Sequence, residues 1–182
     1  MTACVTEGPA GCWYADMAPG YTLRPLTEAD IPAMLALCKG NSLFYQYCPP
    51  PPTAEGLAED FTALPPGKSP ADKHFLGFWR EGRLMAMLDL IEGYPAADTA
   101  WIGFFMTARE TQGKEEGTAL IGCLLRRLEE RGYARVGLAY AKGNPQSRAF
   151  WQKNGFTPTG REKDSGGYTA VVMERLMGKD NK

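Results

Sequence analysis

Apolar side chains recur at helical spacing most clearly in the stretch that follows Gly117. The apolar positions are Leu120, Ile121, Leu124, Leu125 and Leu128, and the charged residues Arg126, Arg127, Glu129 and Glu130 lie off this stripe. A run of apolar residues that ends at Met106 precedes this stretch, and a polar turn at residues 112–117 separates the two. The pattern predicts a buried strand, a glycine-bearing turn and an amphipathic helix, in that order.

Weaker periodicities predict further strands and helices on both sides of this unit. The predicted strands cover residues 21–26, 74–79, 83–92, 99–106, 135–140, 157–161 and 168–174. The predicted helices follow Thr27 or Asp30, either of which is a good N-cap, and cover residues 53–64, 117–130 and 144–154. Residues 83–92 return from a turn at Glu81 and Gly82, which makes a hairpin.

This order predicts a mixed α/β (α+β) fold. We expect a central, mostly antiparallel sheet of about seven strands with helices on both faces. Residues 1–20 lack periodicity and are expected to form a flexible arm, with docking onto the domain through Trp13 and Tyr14 as the alternative. Residues 21–177 are expected to form a single domain and residues 178–182 a tail. Residues 99–106 are apolar on both faces, which is typical of a strand in the middle of a covered sheet.

Composition and charge exclude several classes of function. The chain has 182 residues, 44% of them hydrophobic and 23% charged, with a formal net charge of -1. No basic block and no long apolar run occur, so neither nucleic acid nor a membrane is an expected partner. Five scattered cysteines without a CxxC pair favour a reducing cytoplasm, and we expect no signal peptide.

Other chemistry is excluded by the residues that are missing. The single histidine, His74, falls inside a predicted strand, so a Ser-His-Asp or Cys-His enzyme is not expected. Metal-ligand spacing and a GxxxxGK[ST] phosphate loop are both lacking, and no metal is expected.

The turn at residues 112–117 has the chemistry of an anion site. The first backbone N–H groups of a helix have no partner inside the helix, and the helix dipole is positive there. A glycine allows a ligand to approach the backbone closely. The beginning of the helix therefore suits a phosphate or pyrophosphate.

Two motifs in the chain resemble those of the GNAT N-acetyltransferase superfamily. The first family motif is Gln/Arg-x-x-Gly-x-Gly/Ala, and here Gln112 and Gly117 fill its ends while Glu115 replaces the middle glycine. The second is similar to Asn-x-x-Ala/Ser-x-x-Phe-Tyr-x-x-x-Gly-Phe, and it runs from Asn144 to Phe156. The likeness covers residues 21–176 and implies the acyl-CoA N-acyltransferase fold.

The resemblance implies transfer of an acetyl group from acetyl-coenzyme A to a primary amine, by direct attack in a ternary complex. The cofactor would lie between diverging strands at residues 99–106 and 135–140. The residues expected to contact it are Phe105, Met106, Thr107, Gln112, Gly113, Lys114, Glu115, Glu116, Gly117, Thr118, Asn144, Ser147, Phe150 and Trp151. Asn144 has a second interpretation as a plain helix N-cap.

Two departures from the family pattern bear on activity. Glu115 repels pyrophosphate unless its carboxylate faces the solvent, and Lys114 beside it would offset the charge. Trp151 stands where many relatives carry a tyrosine that protonates the departing thiolate, and an indole N–H cannot be that acid. Both departures favour the alternative of a catalytically weak or inactive GNAT-like module that binds coenzyme A.

Asp89 is the candidate general base. It shares an apolar strand face with Met87 and Ile91, where the pKa of a carboxyl group tends to rise. Its alternative role is a carboxylate paired with a structural donor. Glu92 is a second choice of base. Tyr140 could donate a proton or line the pocket, and its alternative role is packing in the core.

The acceptor site is expected near three aromatic residues. Phe44, Tyr45 and Tyr47 precede four consecutive prolines, and this linker forms either the rim of a pocket or a loop that caps the core. The rim interpretation favours a small molecule, an amino acid or a peptide N-terminus as the amine acceptor. Homodimer formation stays open.

Overall fold

The computed structural model describes residues 12–178. Its strands are β1 (Thr22–Pro25), β2 (Lys73–Arg80), β3 (Arg83–Glu92), β4 (Thr99–Thr107), β5 (Arg135–Ala141), β6 (Thr157–Asp164) and β7 (Thr169–Leu176). Its α-helices are α1 (Ile31–Lys39), α2 (Ser42–Tyr47), α3 (Ala54–Asp60), α4 (Glu116–Glu130) and α5 (Pro145–Lys153). Short 3₁₀ turns at Glu28–Asp30, Pro70–Asp72 and Arg109–Thr111 complete the described segment.

All seven strands belong to one sheet in the order β1-β2-β3-β4-β5-β7-β6. Neighbouring strands are antiparallel except β4 and β5, which are parallel and are joined by α4. A parallel pair needs such a crossover helix, and the amphipathic stripe after Gly117 supplies it. The predicted mixed, mostly antiparallel sheet is confirmed.

The two faces of the sheet carry separate apolar clusters. On one face the stripe of α4, including Leu124 and Leu128, packs on Leu88 and Leu138 of the sheet. The other cluster includes Met34 of α1, Leu57 of α3, and Met87 and Met106 of the sheet. The sheet is therefore covered by helices on both faces, as the apolar pattern of β4 predicted.

Two helix predictions need correction. The aromatic stretch before the prolines, predicted as a linker, contains the helix Ser42–Tyr47, because Asn41 folds back and its side-chain amide donates to the Leu37 carbonyl at 2.9 Å. The second predicted helix ends at Asp60 rather than at residue 64. No helix in the described segment is long and apolar enough to cross a membrane.

The prediction of a flexible arm is wrong for residues 12–20. Tyr14 and Met17 are buried in the core cluster beneath α4. The Arg127 side chain donates a hydrogen bond of 2.7 Å to the Trp13 carbonyl oxygen, which ties the segment to α4. Residues 1–11 of the predicted arm and residues 179–182 of the predicted tail lie outside the described residues.

Candidate active site

β4 and β5 are paired over only part of their length. The ladder runs from Thr99 opposite Arg135 to Ile102 opposite Leu138 and then stops. A bulge accompanies the separation, because Asp89 of β3 pairs with Phe104 while the next β3 residue pairs with Ile102. A bulge bends the strand that contains the extra residue. The carboxyl-terminal ends of β4 and β5 therefore part and leave a slot in the sheet.

A cavity of about 950 Å³ opens at this slot. Its walls include the separated ends of both strands, and its roof includes Phe44, Cys48 and Pro49. Cys48 shares a side-chain hydrogen bond with Tyr168 in the β6–β7 turn, which joins the roof to the far end of the sheet. Burial, followed by this hydrogen bond, raises the pKa of Tyr168 to about 12.

The structure brings most of the residues singled out in the sequence to this one cavity. Those that line it are Phe44, Tyr45, Asp89, Phe105, Met106, Thr107, Gln112, Tyr140, Ser147, Phe150 and Trp151. Tyr47 is not among its lining residues and lies beside Gly143 instead. The residues from Gly113 to Thr118 and Asn144 are also outside the lining.

The start of α4 presents a row of free backbone amides. Gly113 and Glu115 have positive φ values of 73° and 62°, which turn the chain into the helix. Within residues 12–178, the N–H groups of Gly113 and of residues 115–118 donate to no acceptor. Such a series of unpaired donors at a positive helix end is an anion-binding concavity.

The side chains of this turn are tied back to the protein. Gln112 donates to the Asn41 side-chain oxygen, and Glu116 accepts a bond of 2.5 Å from the Tyr21 hydroxyl. Lys153 of α5 lies 2.5 Å from a carboxylate oxygen of Glu115. The ion-pair partner of Glu115 is thus a residue that the fold brings in, in addition to the neighbouring Lys114 named from the sequence.

Gly117 has a packing role in the structure. A Cβ atom there would lie 3.2 Å from the Phe150 ring and 3.4 Å from the Thr107 methyl group. The absent side chain lets the first turn of α4 sit against α5 and the end of β4. Close helix approach, as well as the free amides, therefore requires glycine at this position.

Asn144 forms the N-cap of α5. Its side-chain oxygen accepts a hydrogen bond of 3.0 Å from the Ser147 N–H, and the residue is buried. The N-cap interpretation is confirmed. Ser147 itself faces the cavity one residue after Gln146, which also lines it.

One oxygen of the Asp89 carboxylate is in an ion pair, and the other has no hydrogen-bond donor. Its Oδ2 atom lies 2.6 Å from the buried Lys73 ammonium, while its Oδ1 atom is buried without a hydrogen-bond partner. Burial raises the pKa of Asp89, and the Lys73 ammonium opposes that rise. The structural-donor interpretation holds for one oxygen, and the other faces no donor.

Asp60 and Lys73 were not identified from the sequence. Asp60, at the end of α3, lines the cavity. Desolvation by the surrounding protein raises the pKa of its carboxyl, and the negative charge of Asp89 raises it further. Lys73 also donates to the Ala63 carbonyl at 3.1 Å. Sequence separations of 13 and 16 residues from Lys73 to Asp60 and Asp89 gave no signal. Pairing of β2 with β3 brings Lys73 to Asp89, and the packing of α3 on the sheet brings Asp60 to the same cavity.

Glu92, the second choice of base, is engaged by other side chains away from the cavity. Burial acts to raise the pKa of its carboxyl, but hydrogen bonds from Arg131 and Tyr133 outweigh it and the net shift is downward. The remaining contact is His74, whose Nε2 atom lies 2.8 Å from Glu92. Glu92 therefore anchors the far end of β3 rather than lining the cavity.

Tyr45 belongs both to the wall of the cavity and to the apolar core, the two roles considered for the aromatic linker. It packs against the cluster beneath α1 and α3, and burial raises the pKa of its hydroxyl, assisted by a hydrogen bond with Cys38. Phe44 meets Phe104 of β4 edge-on, with ring centroids 5.8 Å apart. The aromatic residues thus cap the core and line the roof together.

Trp151 is held in an aromatic group rather than standing free in the slot. Its ring contacts Phe150 at a centroid distance of 4.9 Å, Phe156 at 5.3 Å and Phe105 at 6.2 Å. Tyr140, by contrast, is half-buried on the end of β5 that has parted from β4, where it lines the cavity and packs against the core cluster. Its hydroxyl is the phenol that the slot offers on this strand.

Solved structures with the same fold are numerous. An acetyltransferase from Thermus thermophilus aligns with a TM-score of 0.68 and 23% identity, over 86% of this chain and 97% of that one. The ribosomal-protein-S18-alanine N-acetyltransferase from Escherichia coli gives 0.60 and 18%, over 89% and 98%. PaiA N-acetyltransferase from Thermoplasma acidophilum, solved in complex with coenzyme A, gives 0.61 and 18%, over 86% and 98%.

Sequence comparison is more specific than these distant likenesses. No protein of curated function matches the chain. The model of the acetyltransferase (GNAT) family, however, matches residues 41–156, which include the split strands, the turn before α4 and α5. On that match, over more than half its length, the chain belongs to the GNAT family of acetyltransferases.

Proposed function

We propose that the protein is an N-acetyltransferase that moves the acetyl group of acetyl-coenzyme A to a primary amine in a ternary complex. The observation that carries the proposal is the slot between β4 and β5 with a row of unpaired amides beside it at the start of α4. An open slot accommodates an extended arm, and free amides at a helix end bind a pyrophosphate.

The residues of the slot fit coenzyme A. Unpaired donors from Gly113 to Thr118 offer hydrogen bonds to pyrophosphate oxygens, and the unpaired edge at Phe105, Met106 and Thr107 offers backbone groups to the pantetheine arm. Ser147, Phe150 and Trp151 line the same space from α5. The ion pair with Lys153 compensates the charge of the Glu115 carboxylate and so reduces its repulsion of the pyrophosphate.

Acetyl-coenzyme A supplies an activated acetyl group as a thioester. An ammonium with a pKa near 10.4 must lose its proton before it attacks, which costs roughly 4–5 kcal/mol at pH 7. Expelling a thiolate of pKa near 8.5 costs only about 2 kcal/mol at that pH. Removing the proton from the amine is therefore the larger task, and the lack of a tyrosine at position 151 is the smaller deficit.

Asp89 is the group that we assign to this task. Its Oδ1 atom is buried and free, and it sits opposite Phe104, at the point where β4 leaves β5. Asp89 takes the proton of the ammonium. The nitrogen lone pair then forms the C–N bond with the thioester carbon, the C–S bond breaks, and the nitrogen releases its second proton to the solvent. The sulfur leaves with the bonding electrons and gains a proton. The Tyr140 hydroxyl is the donor we assign to that last proton.

One rival function rests on a specific observation. Trp151 is packed by three aromatic rings, so no acid stands at that position, and a module that binds coenzyme A without turnover would tolerate this. Calorimetry with acetyl-coenzyme A, followed by thiol release with a panel of amines, separates the two. We expect binding and amine-dependent thiol release. Binding without release for any amine would identify the module, and no binding would contradict both.

A further inference from the structure

The cavity has a carboxylate end and a cationic end. Asp60 and Asp89 line it on the side of α3 and β3, and Arg161 and Lys163 line it on the side of β6. The slot between β4 and β5 lies between these ends, because the strand order is β3-β4-β5-β7-β6. A ligand held across the slot therefore meets opposite charges at its two ends.

The carboxylate end carries surplus negative charge. Lys73 is the ammonium there, and it pairs with Asp89. Asp60 has no ion pair within the described segment, so the two carboxylates exceed the one ammonium by one negative charge. The Asp89 Oδ1 atom is buried without any donor. A buried carboxylate oxygen without a donor is costly, so this end is suited to receive an N–H group from a ligand.

The cationic end carries surplus positive charge. Lys163 has no ion pair among the residues from 12 to 178, and Arg161 only approaches Glu174 at 3.9 Å. Glu162, which lies between them, instead accepts from Lys142 at 2.9 Å and is not part of the cavity wall. Alternation along β6 thus directs its two cations to the cavity and its intervening carboxylate elsewhere.

The distance between the two ends limits the ligand. Four strand spacings separate β3 from β6, and at about 4.8 Å each they amount to roughly 19 Å between backbones. The long side chains of Arg161 and Lys163 cover part of this span. The amine and the acid of a free α-amino acid share one carbon atom and are too close to reach both ends.

The middle of the cavity is apolar. Phe44 of the roof and Phe104 of β4 meet there, and the separated end of β5 contributes Ala139. A hydrocarbon or peptide segment between the amine and the acid would bury its apolar surface on these groups.

We infer that the acceptor is an amine with an anionic group several bonds away, such as an ω-amino acid or a short peptide. Its ammonium binds at Asp89, and its carboxylate binds at Arg161 and Lys163. This inference rests on the proposed acetyl transfer, and it goes further by assigning the acceptor's second charge and its approximate length.

The test compares three amines of one chain length: δ-aminovalerate with a terminal carboxylate, n-pentylamine without a charge there, and cadaverine with a second ammonium. Calorimetry of each with the coenzyme A complex gives binding, and thiol release gives kcat/KM. We expect the carboxylate to raise affinity and kcat/KM at least tenfold over n-pentylamine, and cadaverine to be the poorest of the three.

The decisive variant is Lys163→Glu together with Arg161→Gln, which reverses the charge at the β6 end. We expect the preference for δ-aminovalerate over cadaverine to invert. The matched control Lys142→Gln removes a cation of the same region that points away from the cavity, and it should leave the wild-type preference in place.

The possible results separate a failure of the acceptor inference from a failure of the proposed acetyl transfer. Binding of δ-aminovalerate in preference to the other two without any thiol release would contradict the proposed acetyl transfer and keep the charge assignment. Thiol release with equal preference for the three amines, or a preference unchanged in the charge-reversed variant, would overturn the inference and keep the transferase.

Discussion

Glu115 occupies a backbone conformation that favours glycine. Its φ of 62° is in the left-handed region, where a side chain costs roughly 1–2 kcal/mol. The carboxylate also lies beside the amides that we assign to the pyrophosphate, and only the ion pair with Lys153 balances it. The family motif has glycine at this position. Glutamate fits poorly both the left-handed backbone conformation and the binding of an anion beside it.

Replacing Glu115 with glycine is therefore expected to tighten coenzyme A binding. An exposed charge near a helix end contributes about 0.3–1 kcal/mol, so calorimetry should show a dissociation constant roughly two- to fivefold lower. The matched control is Glu81→Gly, since Glu81 also has a positive φ, of 51°, but lies in the β2–β3 turn. That control should leave binding as it is. Unchanged or weaker binding by Glu115→Gly would refute the assignment of this turn.

Asp89→Asn tests the proton acceptor. General base catalysis contributes about 10²–10⁴-fold, and the amide cannot take a proton, so kcat/KM should fall by at least a hundredfold at neutral pH. In the wild type, activity should rise with pH as Asp89 loses its proton, at a pKa above that of an ordinary carboxyl because burial raises it. This limb of the pH profile should disappear in the variant.

Two controls test whether a loss of activity in Asp89→Asn is specific to the proton acceptor. Coenzyme A affinity, measured by calorimetry, should persist in Asp89→Asn and show that the slot is intact even though Lys73 has lost its partner. Asp98→Asn makes the same substitution at a half-exposed carboxylate before β4 and should keep wild-type turnover. Full turnover of Asp89→Asn across the pH range would dismiss the base assignment.

At the scale of elements, a partly buried ion pair joins β1 to the first helical turn. The two nitrogens of Arg24 bind the two oxygens of Asp30 at 2.8 and 2.7 Å, and the guanidinium lies 4.2 Å from the Trp79 ring centroid. Asp30 also accepts from the Thr27 N–H at 2.9 Å, so the two candidate caps act as one unit. These bonds fix the direction in which α1 leaves the sheet.

Asp30→Asn should lower the free energy of unfolding. Hydrogen bonds to charged groups contribute about 1.5–3 kcal/mol, and urea denaturation at neutral pH should show a loss of that size. Hydrogen bonds from Arg24 lower the pKa of Asp30 below 3.8, so its contribution is present above that pH and is lost as the pH falls through the lowered pKa. The variant should therefore lose less stability on acidification than the wild type.

Asp72 offers a matched control for the element-level prediction. It accepts from the Ser69 N–H and hydroxyl at 2.8 and 3.0 Å in the same local arrangement, but at the surface and without an arginine. Asp72→Asn should cost much less than Asp30→Asn. An equal loss in the two variants would show that the local cap alone, and not the link to β1, carries the effect.

At the scale of the whole molecule, the sheet is divided where the ligand is expected. β1 to β4 form one half and β5, β7 and β6 the other, and the strand ladder between the halves has only four residue pairs. The cavity spans the same division, since Cys48 and Tyr168 line it from its two sides. A ligand in the slot would contact both halves and add to the few bonds between them.

Coenzyme A should accordingly raise the melting temperature. A ligand at a hundred times its dissociation constant stabilises the folded state by about 2.7 kcal/mol. For a domain of this size each kcal/mol is worth roughly 2–4 °C, so we expect a rise of about 5–10 °C by calorimetry. Adenosine monophosphate, which lacks both the pyrophosphate and the pantetheine arm, is the control and should give little shift. No rise with coenzyme A would contradict binding in the slot.

Some features could be predicted at the residue and element scales because their causes are local. The stripe of α4 and the double-sided apolar pattern of β4 depend on neighbours within one turn or one strand, and both were correct. The N-cap at Asn144 is equally local, since its acceptor bond reaches only Ser147. The helix Ser42–Tyr47 was missed because its amphipathic signal is short and four prolines follow at once.

The sequence alone determined the order of the strands, the amphipathic helix α4 and the family motifs, because each depends on residue spacing along the chain. Only the tertiary structure decided which charges meet. It paired Glu115 with Lys153 across 38 positions, set Lys73 against Asp89, and brought Arg161 and Lys163 to the cavity. The physical reason is that Coulomb energy and desolvation depend on distance and burial in space, and strand pairing rather than sequence spacing sets both.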